Sequence, residues 1–132
     1  MIANRSMPRS TVIPELPYPD VIEATRWLCE VFGFTLRIGM GGHRAQLNVG
    51  EGAVVLKELP VSKRHESPDG VETHLIRGEA AHSVMVRVDN IDRLYEHARQ
   101  RGASILSTPT DYPYGERQYT VQDLAGHQWT FS

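Results

Sequence analysis

The chain is written as two copies of one order of elements, and this repeat limits its folds more than any other feature. Asp20 opens an apolar-periodic run, Val21 to Phe32, that stops at Gly33. Asn90 opens a second, Ile91 to Arg101, that stops at Gly102. Each run follows a short apolar strand pattern and precedes further strand-like segments. Each copy carries an Arg in a polar/apolar alternation, Gly42-His43-Arg44-Ala45 and Gly115-Glu116-Arg117-Gln118. Each closes with a glycine turn, at Gly52 and Gly126, into a final strand. Two β-α-β-β-β units in so small a chain imply that neither buries its sheet alone and that the pair encloses something.

Residue types support the order. Asp20 suits a helix N-cap and Gly33 the residue after a helix end, while Ala24, Trp27, Leu28 and Val31 recur at helical spacing. Ile91, Leu94, Tyr95 and Ala98 share one face of the second helix. Thr11–Leu16 reads as a first strand, with Pro14 and Pro17 marking it as an edge or an irregular one. Arg44–Val49 alternates as a half-buried strand should, and Gly50-Glu51-Gly52 turns it into Ala53–Lys57. In the second copy Ser83–Val88 begins the module, Ile105 lies in a short strand, and Thr108–Gly115 reads as a loop. Arg117–Val121 and His127–Phe131 are strands joined by Asp123-Leu124-Ala125-Gly126, a turn of Asx and glycine chemistry. The expectation is one domain over residues 1–132: a loose arm at 1–10, module one at 11–58, a polar linker at 59–81 and module two at 82–132. His65 and His74 fall in the linker and read as solvated.

Composition narrows the function. With 132 residues, 40% of them hydrophobic, the chain suffices for one packed domain and not for two independent ones. Lys and Arg number 14 against 16 Asp and Glu, a formal charge of -2, and no basic stripe interleaves with aromatics, so nucleic acid is not an expected partner. Cys29 is the one cysteine, which excludes an intrachain disulfide, and beside Leu28 it reads as a buried inert thiol. No apolar run reaches membrane-spanning length, and residues 1–10 lack the apolar core of a signal peptide, so a cytoplasmic protein is expected.

Specific motifs extend the reading. Val88-Asp89-Asn90-Ile91-Asp92, Arg101-Gly102-Ala103, Tyr114-Gly115-Glu116-Arg117 and the closing Gln122-Asp123-Leu124-Ala125-Gly126-His127-Gln128-Trp129 stand in module two. Tyr18-Pro19-Asp20 and Val31-Phe32-Gly33-Phe34 stand in module one. Over residues 11–132 the chain resembles the vicinal-oxygen-chelate superfamily of glyoxalases, bleomycin-resistance proteins and extradiol dioxygenases, and within it the glyoxalase-like, PhnB-like branch. The resemblance implies an α+β fold of tandem βαβββ modules forming a curled, cup-shaped mixed sheet with helices on its convex face. It also implies a homodimer, in some members with modules from different chains completing each cup. In the superfamily's metal enzymes one ligand stands on the first strand and one on the last strand of each module. Carried onto this sequence, those positions are Ile13, Leu56, Ser83 and Thr130. None is a usual divalent-metal donor, so the resemblance implies no metal and no cofactor here. His82 neighbours one position, but a one-residue offset turns a strand side chain to the other face.

Strand parity gives a reading independent of the resemblance. If Trp129, Phe131, Tyr119, Val121, Ala45, Leu47, Val84 and Val86 face the helices, the alternates Gln46, Asn48, Ser83, Met85, Arg87, Gln118, Thr120, Gln128 and Thr130 face the cup. Ile13, Glu15, Val54 and Leu56 join that set of candidate ligand-binding residues. A polar sheet face is also what an ordinary antiparallel sheet shows to water; the repeat favours a ligand cavity. His43 with His127 as a proton-transfer pair, Glu116-Arg117 as a carboxylate site and Trp27 as a stacking platform are weaker candidates. Three readings stay open. The first is a metal-independent small-molecule-binding protein sequestering an antibiotic-like or aromatic ligand. The second is a metal-dependent lyase, isomerase or dioxygenase with an unusual site around His82, His127 or Glu58. The third is a cofactor-free proton-transfer enzyme using Glu15 or His82. A homodimer is expected besides, since Thr11–Leu16 has no Lys or Arg to discourage edge pairing and the ten-residue arm can span at most about 35 Å.

Overall fold

In the computed structural model, which describes residues 7–59, 65–66, 72–73 and 83–132, the repeat becomes two βαβββ modules of an α+β fold. Module one runs β1 (Glu15–Tyr18), α1 (Val21–Phe32), β2 (Thr35–Met40), β3 (Arg44–Val49) and β4 (Gly52–Glu58). A two-stranded ribbon follows, β5 (His65–Glu66) with β6 (Glu72–Thr73). Of the expected linker, Leu59 is described as well, and the remaining residues, with His74 and also His82 beyond it, lie outside the described residues. Module two runs β7 (Val84–Val86), α2 (Ile91–Gln100), β8 (Ser104–Asp111), β9 (Arg117–Gln122) and β10 (Gln128–Phe131). Each module builds a four-stranded mixed sheet, in the orders β1-β4-β3-β2 and β7-β10-β9-β8. In both, the first strand runs parallel to the last and the other pairs are antiparallel.

The helices start and stop for the chemical reasons their sequences give. The Asp20 carboxylate accepts from the Glu23 amide at 3.0 Å, and the Asn90 side chain accepts from the Arg93 amide at 3.0 Å. Each satisfies one amide that the first turn leaves without an intrahelical partner. Gly33 ends α1 at φ 78°, a left-handed conformation that costs a Cβ-bearing residue about 1 kcal/mol. Of the expected apolar stripes, Leu28, Val31 and Ala98 are buried, while Trp27, Leu94 and Tyr95 are half-buried and pack against the core. Trp27 meets Phe32 edge-on at 5.1 Å, which makes it a packing residue.

One hydrophobic core serves both modules. Phe32, at the end of α1, reaches across to Trp129 at 5.5 Å and Phe131 at 4.9 Å on β10, and Phe34 meets Trp129 at 5.4 Å. Burial of each such side chain is worth about 1.5–3 kcal/mol, so neither module keeps its core without the other. Polar contacts tie the same seam. Asp123 is buried, and its carboxylate accepts from the Tyr18 hydroxyl at 2.6 Å and the Trp129 indole at 3.0 Å. Its other oxygen accepts from the amides of Ala125 and His127, each at 3.0 Å, closing the turn that Gly126 permits at φ 92°. His127 donates through Nε2 to the Pro17 carbonyl at 2.7 Å, and Arg101 pairs with Glu30 at 2.9 Å.

Two strands depart from expectation. The first is Glu15–Tyr18 and not Thr11–Leu16, because the parallel register on β4 runs from Glu15↔Val55 to Tyr18↔Glu58. Pro17 is tolerated there because β1 is an edge strand. The second is β8, which continues through Thr108, Pro109 and Thr110, expected as loop. It too is an edge strand, and its register on β9 shifts between Ile105 and Ser107 and again between Ser107 and Thr110. Such irregularities let an edge accommodate proline.

Candidate functional site

Cross-strand register sorts every strand residue onto a face, because directly opposed residues point the same way. The inner faces are Leu16, Tyr18, Ala45, Leu47, Val54 and Leu56 in module one and Tyr119, Val121, Trp129 and Phe131 in module two, all buried in the shared core. The expected cup-facing placement of Leu56 and Val54 is therefore corrected. Ala45 stands opposite Leu56 and Leu47 opposite Val54, so residues assigned to opposite faces share one. Leu56 is 0% exposed, and the residues turned to the other side of β4 are Ala53, Val55 and Lys57. The pairing is readable from the sequence by counting outward from the Gly50-Glu51 turn, which sets Val49 against Gly52, Gln46 against Val55 and Arg44 against Lys57.

The outer face of module one gathers charge. Glu15 is exposed and stands opposite Val55; its carboxylate pairs with Lys57 at 2.9 Å and Arg44 at 3.3 Å. The hydrogen bond and charge of Lys57, and then those of Arg44, hold the Glu15 carboxyl below its ordinary range. Gln46 is buried on this face, an unusual place for an amide, and accepts from the Arg37 guanidinium. Arg37, at the bulge where the β2–β3 register shifts between Leu36 and Ile38, also donates to the Met7 carbonyl at 3.4 Å. Asn48 donates to Thr35 Oγ1 at 3.2 Å, and Ile13, before the first strand, is half-buried. Of these, parity had selected Ile13, Glu15, Gln46 and Asn48; it missed Arg37, Arg44 and Lys57.

The outer face of module two is uncharged for most of its width. Thr130 stands between Thr120, 3.2 Å away through the hydroxyls, and Ser83 at 3.4 Å. Met85 lies beside Thr130 in register and is 56% exposed, Gln118 stands opposite Thr110, and Gln128 opposite Gln122. Arg87 is exposed just past β7. Two grooves flank this edge. One, of about 680 Å³, runs between Val12, Pro14 and the β3–β4 turn on one side and Val84–Asp89 on the other. The second, of about 650 Å³, lies between Met85–Val88 and Gly115–Arg117. Met85 and Arg87 line both.

The weaker candidates resolve into structural contacts. His43 pairs with Glu58 at 2.7 Å, and His127 spends its Nε2 on the Pro17 carbonyl, so each imidazole has a separate partner. Arg117 pairs with Asp92 at 2.9 Å and Asp111 at 3.1 Å, both of which raise its pKa, and Glu116 accepts from Ser132 at 3.2 Å. These contacts anchor the β8–β9 hairpin, whose tip carries Tyr112 stacked on Tyr114 at 5.4 Å. The Cys29 thiol is pushed up by burial, away from the thiolate a nucleophile needs.

The residues do not fit a divalent cation. At the four positions implied for metal ligands stand two hydrocarbons, one of them inside the core, and two hydroxyls that bond within one row. Among the described residues no group of three or more His, Cys, Asp and Glu side chains is placed to hold a metal ion. No helix among them is long and apolar enough to cross a membrane.

Known proteins place this geometry. Residues 11–131 match the family described as the Glyoxalase/Bleomycin resistance protein/Dioxygenase superfamily. Among solved structures, TioX from Micromonospora sp. ML1 is 33% identical with a TM-score of 0.71, the alignment covering 92% of this chain and 96% of that one. A glyoxalase/bleomycin resistance protein from Streptomyces sp. CB03234 is 21% identical with a TM-score of 0.67, covering 93% and 99%. A glyoxalase/bleomycin resistance protein/dioxygenase from Alicyclobacillus acidocaldarius is 16% identical with a TM-score of 0.68, covering 96% and 92%. No curated protein matches the sequence. The matched family spans both modules, and the chain belongs to the glyoxalase/bleomycin resistance protein/dioxygenase superfamily.

Proposed function

We propose that the protein is a small-molecule-binding member of its superfamily that works without a metal and sequesters an antibiotic-like or aromatic compound. The observation that carries this reading is the donor chemistry of the outer faces. Amides, hydroxyls and paired charges line them, and the positions implied for metal ligands hold Ile13, Leu56, Ser83 and Thr130. Such groups orient an organic ligand by hydrogen bonds and do not polarise a reacting bond as a cation would.

The cup is proposed to need two copies of the chain. Both inner faces pack on one core, which turns the outer faces of a single chain away from each other. The edge strands β1, β2, β7 and β8 have no further strand partner among the described residues, and an unpaired edge is a ready surface for a second copy. A twofold dimer brings module one of one protomer to module two of its partner, and the pair closes one cup on each side.

A thermal-shift screen of aromatic and amide-rich compounds, run on chelator-treated protein, tests the reading. Stabilisation by such a compound without added metal is the expected result. Shifts that appear only after zinc, iron, nickel or manganese is added would contradict it.

A further inference from the structure

We infer that the compound carries a negatively charged group, and that this group docks on the outer face of module one at Arg44 and Lys57. The inference rests on the proposed cup and names the charge of its ligand. Two cations, Arg44 and Lys57, meet on this face against a single carboxylate among the described residues, Glu15, in a chain whose formal net charge is -2. Arg44 and Lys57 are cross-strand partners, so their charges sit side by side on one face. Like charges directly opposed on a sheet repel, and Glu15 bridges them with one bond to each. One carboxylate between two cations leaves an excess positive charge. Both cations are partly exposed, with 36% and 45% of the side chain accessible, so a second anion can reach them. The outer face of module two supplies the contrast: its central Ser83, Thr120 and Thr130 are neutral, and Arg87 stands at its end. A ligand with an anionic end and a neutral hydrogen-bonding body matches both faces in turn, through charge-assisted bonds at one end and hydroxyl contacts at the other.

Titration calorimetry with four probes tests this on the intact protein: naphthoate, naphthamide, naphthylmethylamine and inorganic phosphate. Naphthoate is expected to bind roughly ten-fold tighter than naphthamide, with the amine weaker than both and phosphate a poor competitor. Arg44→Gln with Lys57→Gln is expected to erase the preference for the carboxylate. Glu15→Gln supplies a control of opposite sign. Removing the resident carboxylate frees both cations and is expected to tighten naphthoate by about three-fold or more, whereas a purely structural ion cluster would lose affinity. Equal binding of acid and amide, or preference for the amine, overturns the anionic group and leaves the cup standing. Full displacement of naphthoate by equimolar phosphate overturns the organic ligand in favour of a simple anion site. Absence of binding by every probe counts against this inference and the cup together.

Discussion

The inner and outer faces of the two sheets follow different rules, although the same strands make both. Inside, residues of the two modules are alike and interlocked: Leu47, Leu56, Val121 and Phe131 are all 0% exposed in one core. Outside, the modules diverge. Module one carries Glu15, Arg44 and Lys57 in an ion cluster, and module two carries the hydroxyl row of Ser83, Thr130 and Thr120. The repeat is therefore preserved where it builds the fold and discarded on the outer faces, where a ligand is proposed to bind. Substitutions on the inner faces should break stability, and those on the outer faces should change binding while leaving the fold.

The largest effect is expected at the seam between modules. Trp129→Ala removes a ring in contact with Phe32 and Phe34 and strips Asp123 of a donor, and it should cost about 4 kcal/mol in urea unfolding. A loss under about 1 kcal/mol would mean that the modules do not depend on each other. Leu56→Ala comes next, at about 3 kcal/mol, the cost of a cavity in a well-packed core. If Leu56 instead faced a ligand, its stability would hardly move and binding would suffer. On the outer face Thr130→Val should stay within about 0.5 kcal/mol of the parent while weakening any ligand that bonds the hydroxyl row.

Two buried tyrosines sharpen the comparison at smaller scale. Tyr18 donates to Asp123, whereas the Tyr119 hydroxyl has no hydrogen-bond partner among the described residues. Burial raises the pKa of both above the ordinary 10.0, and the Asp123 charge raises Tyr18 further. The unfolded chain then releases these protons at a lower pH than the folded one. The stability they contribute is fully present below about pH 10 and lost as pH rises beyond it. Tyr119→Phe removes a buried unsatisfied group, so it should leave stability unchanged or raise it by up to about 1 kcal/mol, and flatten part of the alkaline loss. Tyr18→Phe should cost about 1–2 kcal/mol by leaving Asp123 one donor short. Chemical unfolding at neutral pH and above pH 10 separates the two.

The fold was legible because its signals are local. Asp20 and Asn90 are caps, Gly33 and Gly126 take positive φ, and the apolar stripes have helical period, so element order needs no long-range knowledge. The site was legible only in part, because parity fixes faces within a strand and register fixes them between strands. Gln46, Thr120 and Thr130 came out on the outer face from alternation alone. Leu56 and Lys57 take their faces from the pairing of β3 with β4 counted from its turn, whereas Arg44 shares the outer face with Gln46 and Asn48 by alternation along β3. Arg37 was beyond such counting, since it sits at a bulge that breaks the alternation. The buried Asp123 carboxylate reads as a turn residue in sequence; its bonds to Tyr18 and Trp129 join positions that only the packed modules bring together.

Native mass spectrometry of protein purified without a tag tests the central claim most directly, because one spectrum reports assembly, metal content and retained ligand. The account predicts a dimer of the 14.9 kDa chain with no metal mass, carrying at most a small organic molecule. A monomer, or a species with one zinc, iron, nickel or manganese per chain, would contradict it.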